Sequence, residues 1–200
     1  DGTVQAIQTL LAEKNIFAQR PRIGLLPHGT TNMTAADIGY RTRNIAAQAA
    51  FIAAPSPREL HARPTLRAVN PRDGLVRHGM FLGTGAISAA TRHTQVTLND
   101  KGVKGNLATF TALARAVGKS LFSPPDPQDE DRFDRPFEIT VTADGKTLAS
   151  GIHLMALVTT LDKLILGTKP FWGGKTGPLR VTTFPYPVPS IPRWFIPAIA

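Results

Sequence analysis

Two periods of apolar and polar residues run along this chain, and the change from one to the other divides it. Val4, Ile7, Leu10 and Leu11 recur at helical spacing, so residues 3–14 are expected to form an amphipathic helix. Ile23 to Leu26 reads as the end of a buried strand that Pro27 stops, because proline has no N–H to give a sheet. A polar loop follows, His28-Gly-Thr-Thr-Asn32, and the small residues Thr34, Ala35 and Ala36 predict a helix start with Asn32 or Thr34 as its cap. Asn44 to Ala53, rich in alanine with Ile45, Phe51 and Ile52, predicts a further helix that Pro55 ends. Leu66 and Ala68 alternate with Thr65 and Arg67, as in a half-buried strand.

Strand periods dominate later. From Arg77 a short apolar strand runs into a glycine turn and a helix from Ala86, with Gly83 and Gly85 read as close-packing positions. Asn106 to Phe122 has the clearest helical face, formed by Leu107, Phe110, Leu113, Ala114, Val117 and Leu121. The run from Ser123 to Arg132 is proline-rich and acidic and reads as a surface loop. Phe137, Ile139 and Val141 then alternate with polar residues, Asp144-Gly145 marks a hairpin turn, and the chain returns toward 153–158. Lys163 to Leu166 and Leu179 to Phe184 are expected as further strands, joined by the loop Lys169 to Lys175. The expected plan is a partial α/β domain over 1–70 followed by a β-rich domain with a helix over 71–200.

Composition narrows the class. An apolar share of 42% in 200 residues can supply a core. With no cysteine, disulfides are excluded. The longest apolar runs fall far short of the roughly 20 residues of a membrane helix, and the expectation is a soluble cytoplasmic protein. A net charge of +9 favours anionic partners such as nucleotides or a phospholipid surface. The arginines are scattered and not interleaved with aromatics, so no nucleic-acid partner is expected. The five histidines form no metal-ligand spacing.

The candidate chemistry lies in two polar glycine loops, each leading a helix. Asp1-Gly2-Thr3 opens the first helix, and Leu26-Pro-His-Gly-Thr-Thr-Asn32 leads the next. Helix starts and glycine-exposed N–H groups suit phosphate. The pair resembles the diacylglycerol kinase catalytic family, whose motifs are Gly-Gly-Asp-Gly-Thr and Leu-Pro-x-Gly-Thr-x-Asn. The first motif is shared with NAD kinases and phosphofructokinases; the second points to the lipid kinases. The resemblance implies a nucleotide-binding α/β domain followed by a β-sandwich-like domain, and an ATP-dependent transfer of phosphoryl to a lipid hydroxyl at a membrane surface, with ATP and Mg²⁺ as cofactors. It also implies ATP contacts at Asp1, Gly2, Thr3, Gly29, Thr30 and Asn32, with Asp1 as the catalytic residue, and a cytoplasmic protein peripheral to the inner membrane surface.

Other positions depart from the family. Where bacterial members carry a metal-linked Asp-Asp-Gly, this chain reads Thr176-Gly-Pro-Leu-Arg180, and the Asp-Gly-Glu that holds the catalytic base has no equivalent, since Asp144-Gly145-Lys146 is read as the hairpin turn. The chain is therefore expected to be a fragment lacking both ends and inactive alone, with its metal ligands unassigned. Asp162 is expected as a surface residue. The competing readings are an NAD kinase-like phosphotransferase and a noncatalytic nucleotide- or lipid-binding protein of the same fold.

Overall fold

The computed structural model describes residues 2–29, 31–56, 61–93, 135–173 and 177–187. Its elements are α1 (Gly2–Glu13), α2 (Met33–Asp37), α3 (Ile45–Ala53), β1 (Leu66–Ala68), β2 (Arg77–Gly79), β3 (Phe81–Gly85), α4 (Ala86–His93), β4 (Phe137–Ala143), β5 (Lys146–Thr159) and β6 (Arg180–Pro185). They form two compact units: one within Asp1–Phe81, Thr159–Lys169 and Gly173–Leu179, the other within Leu82–Val158, Pro170–Trp172 and Arg180–Ala200. The helix expected over 106–122, the acidic loop over 123–132 and the tail beyond 187 lie outside the described residues.

In the first unit, β1 and β2 pair antiparallel, with Leu66 opposite Gly79 and Arg67 opposite His78. The expected strand at Leu66 to Ala68 is present. Helix α1 packs on this ribbon, and polar side chains bond it there. The stripe that meets the ribbon is Gln5, Thr9 and Glu13, spaced by four and so on one helical face. The Thr9 hydroxyl accepts the His78 N–H at 2.9 Å. The Glu13 carboxylate accepts from Arg67 Nε at 3.1 Å and lies 2.6 Å from His78 Nε2. At Gly79 an added Cβ would lie 3.4 Å from the Gln5 side chain, so helix and strand approach closely there. Ile7 and Leu10 face outward, 40% and 49% exposed, so the apolar face read from the sequence is only half covered.

Helix α3 begins where expected, because the Asn44 side chain accepts the Ala47 N–H at 3.0 Å and satisfies one of the free donors of the first turn. The strand expected at Ile23 to Leu26 is not formed. These residues join no ladder, and Ile23 is 40% exposed. Apolar sequence alone does not make a strand, since each strand needs a neighbour for its N–H and C=O groups. The strand expected at Lys163 to Leu166 is also replaced. Gly167, at φ +80°, turns the chain so that Leu164 N–H reaches the Thr168 carbonyl at 2.8 Å around a 3₁₀ turn at Ile165–Gly167. Before that turn the chain is anchored at Met80, whose carbonyl accepts from the Thr159 hydroxyl at 2.7 Å and the Thr160 N–H at 3.0 Å. Leu161 and Leu164 are buried behind it.

Among the described residues of the second unit, four strands form one sheet in the order β3-β5-β4, and β6 also pairs with β5. The predicted hairpin is there: Asp144 at φ 51° and Gly145 at φ 77° make a two-residue turn with both central residues left-handed, which matches the twist of the flanking strands. Strand β4 alternates half-buried and exposed residues along its whole length. A bulge between Val141 and Thr142 shifts the register from Val141 opposite Ala149 to Thr142 opposite Thr147. The later part of β5 loses the alternation, and Ala156 and Leu157 are buried within its apolar run. Leu179 to Phe184 was expected as a strand, and β6 begins one residue later.

The glycines after β2 are packing positions, as read. At Gly83 an added Cβ would lie 2.5 Å from the Ile87 side chain, so α4 folds directly back on β3. At Gly85, φ is +64° and a Cβ would overlap the Phe137 ring and the Leu154 carbonyl.

Candidate functional site: the loop Pro27 to Asn32

This loop is closed by one side chain. Asn32 sits in the left-handed region at φ 51°, ψ 31°, which asparagine tolerates better than most residues. From there its amide reaches back three residues and engages both backbone groups of Gly29: the Gly29 N–H donates to Oδ1 at 2.7 Å, and Nδ2 donates to the Gly29 carbonyl at 2.6 Å. The amide thus does what a neighbouring strand would do for Gly29. The Asn32 carbonyl accepts the Ala36 N–H at 2.9 Å and starts α2. The expected side-chain cap of α2 by Asn32 is not made, because the amide is already committed to Gly29.

A second tether leaves the loop outward. Pro27 is buried, His28 and Gly29 are exposed. The His28 ring places Nε2 2.9 Å from Oε1 of Gln48 on α3, and Gln48 Nε2 donates to the Thr42 carbonyl at 3.0 Å. Gln48 is buried in an otherwise alanine-rich helix, at 6% exposure. Its amide nitrogen is engaged by a carbonyl, so its oxygen must accept, and the hydrogen between the two side chains belongs to His28 Nε2.

A third group fixes the far end of α2. The Asp37 side chain is fully buried; its Oδ1 accepts the N–H groups of Asp162 and Lys163, each at 2.8 Å, and its Oδ2 lies 3.0 Å from Arg63 Nη2. The same Arg63 nitrogen is 3.2 Å from Asp162 Oδ2. Asp162 is therefore not a plain surface residue: its carboxylate is a half-buried ion-pair partner, drawn in by a guanidinium that already neutralises Asp37. No sequence signal links positions 37, 63 and 162. Gln48 was legible only as a polar residue on an apolar helix.

Gly2 and Thr3 form the exposed first turn of α1. Among the described residues no hydrogen bond joins them to the loop, whereas Gly29 and Asn32 are bonded to each other. Asp1 and Thr30 lie outside the described residues. The groups that show clear titration shifts lie elsewhere in the unit. Hydrogen bonds from Arg67 and then His78 hold Glu13 below its ordinary value. The Arg77 guanidinium beside Asp73 lowers that carboxyl to about 2. Among the described residues no three His, Asp or Glu side chains gather as metal ligands do.

These observations define a mixed α/β chain in which one polar glycine loop, locked from within, leads a helix, and a Gly-Thr pair opens another. Residues 1–62 match the family described as the diacylglycerol kinase catalytic domain, so that segment of the chain is similar to that family. The match implies an α/β nucleotide-binding fold of kinase type and, for a domain of that kind, use of ATP. No curated protein and no solved structure gives a significant match to this chain. Among the described residues, no helix is long and apolar enough to cross a membrane.

Proposed function

We propose that this protein is an ATP-dependent lipid kinase that transfers the γ-phosphoryl group of ATP to a lipid hydroxyl, diacylglycerol-like or sphingosine-like. The observation that carries the proposal is the pair of loops, Asp1 to Thr3 and Leu26 to Asn32, both inside the matched segment 1–62. The plan is a nucleotide-binding domain over 1–70 followed by a β-sandwich-like domain over 71–200.

Phosphoryl transfer asks a protein mainly to position phosphates and stabilise their charge. Asp1, Gly2 and Thr3 at the first helix, and the loop built of Gly29, Thr30 and Asn32, form the site for the phosphates of ATP, with Asp1 orienting the reacting groups. The Gly29 N–H is engaged by Asn32, so Asn32 works by holding the loop in shape and leaves contact with the anion to its neighbours. Mg²⁺ accompanies ATP. The described residues offer no ligand cluster for it, Asp162 being paired with Arg63. The net charge of +9 draws the protein to an anionic membrane surface, where its substrate resides.

The test is a radiolabelled ATP assay with diacylglycerol and with sphingosine in mixed micelles. Label should enter one of the two lipids, and Thr30→Ala should weaken ATP binding by roughly tenfold, the worth of one contact to a charged phosphate. Absence of transfer to either lipid, together with absence of ATP binding by calorimetry, would refute the proposal.

A further inference from the structure

The loop's closure leaves a question of which groups meet an anion, and His28 answers it. Asn32 occupies both backbone groups of Gly29. The residue beside Gly29 is an exposed imidazole whose Nε2–H is fixed on a buried glutamine, with Nδ1 unpartnered among the described residues. We infer that His28 is an anion-contacting residue of the nucleotide site, presenting Nδ1 to a phosphate oxygen, and that Gln48 is the positioning residue that sets its ring. The inference rests on the nucleotide-binding reading of the loop.

The chemistry runs through the tautomer. Gln48 Nε2 is bound to the Thr42 carbonyl, so the amide cannot rotate to offer a donor to the ring without leaving that carbonyl unpaired. Gln48 Oε1 therefore holds His28 Nε2 in its protonated form. A neutral ring so held has only a lone pair at Nδ1, which repels a phosphate oxygen. On taking a proton at Nδ1 the ring becomes a cation with both nitrogens as donors: one stays on Gln48 and the other turns to the anion. Gln48 carries no charge of its own and accepts from the neutral ring and, more strongly, from the cationic ring. A bound phosphate thus stabilises the imidazolium, and no other hydrogen bond of the loop need change. Burial of Gln48 matters because an exposed amide would swing with the ring and fix nothing.

The experiment combines calorimetric titration of Mg·ATP with ¹⁵N spectra of the histidine rings. Wild type should bind ATP, and at saturation both His28 ring nitrogens should take imidazolium shifts at a pH near 7. His28→Gln keeps an amide N–H that can reach Gln48 and should bind ATP about tenfold more weakly with an unchanged melting temperature. Gln48→Leu should weaken binding by a similar factor, and adding His28→Gln to it should cost little more, because the two act as one unit. His28→Gln binding as tightly as wild type would overturn the inference while leaving the nucleotide reading intact. Ring signals of His28 that stay put at saturating ATP would overturn it without recourse to any variant. A wild type that binds no ATP would remove both.

Discussion

The two compact units are held by different physics. The first is fastened by polar side chains that reach backbone: Asn32 to Gly29, Gln48 to Thr42, Asp37 to the N–H groups of 162 and 163, Thr9 to His78. The second is fastened by shape: a hairpin whose first strand alternates along its whole length, and glycines at 83 and 85 where no side chain fits. Even their left-handed residues differ in use. Asn32 turns so that its side chain can bond the loop, whereas Asp144 and Gly145 turn to match strand twist. The lesson is about tolerance: a unit built on directional bonds fails when one partner is removed, and a unit built on close approach fails when an atom is added.

The sharpest way to break that contrast is to add one methyl group. Gly85→Ala combines a left-handed backbone with overlap on Phe137 and Leu154, and should destabilise the second unit by about 3 kcal/mol or more. Urea denaturation followed by tryptophan fluorescence measures it. A loss below that of Gly145→Ala, which meets no neighbour, would show that shape is not what holds this sheet.

Removing an atom group from the first unit comes next. Asp37→Ala leaves two N–H groups without an acceptor and Arg63 with Asp162 alone, at a cost of roughly 2–3 kcal/mol. Hydrogen exchange should speed up at Asp162 and Lys163 and stay unchanged in β4. Equal speeding in β4 would mean that the effect is global.

Smaller effects sharpen the comparison. Gly145→Ala should cost about 1–2 kcal/mol through its positive φ alone, there being nothing near its Cβ. Asn44→Ala should cost about 1 kcal/mol by uncapping α3.

The smallest effect is electrostatic. Glu13 and Asp73 have lowered folded-state pKa values, Asp73 to about 2. A depressed carboxyl stabilises the fold above its unfolded pKa, so this contribution is complete above about pH 5 and is lost as pH falls toward 2. Both pairs are solvent-screened, so the slope of stability against pH should be shallow and should flatten further in the Glu13→Gln, Asp73→Asn double variant. An unchanged acid slope in that variant would assign the acid sensitivity to other groups.

What the sequence determined by itself was local. The starts of α1, α3 and α4, the hairpin turn at Asp144-Gly145, the strand at Leu66 and the packing glycines were legible, because caps, turns and period-two alternation are decided by neighbours along the chain. The similarity of residues 1–62 to a kinase family was legible too, since two short motifs at the right separation carry it. Tertiary structure alone decided the rest. Ile23 to Leu26 looked like a strand but has no described neighbour to pair with, and pairing is a property of two segments. The helical period of α1 located an apolar face, yet the ribbon chose the stripe Gln5, Thr9 and Glu13, because donors and acceptors on β2 could be satisfied there. Asp162 read as surface, for nothing at positions 160–164 announces that Arg63 and Asp37 will fold up beside it. The hydrogen bonds that shape the loop, Asn32 to Gly29 and His28 to Gln48, depend on side-chain direction, and direction is fixed only when the chain has closed on itself.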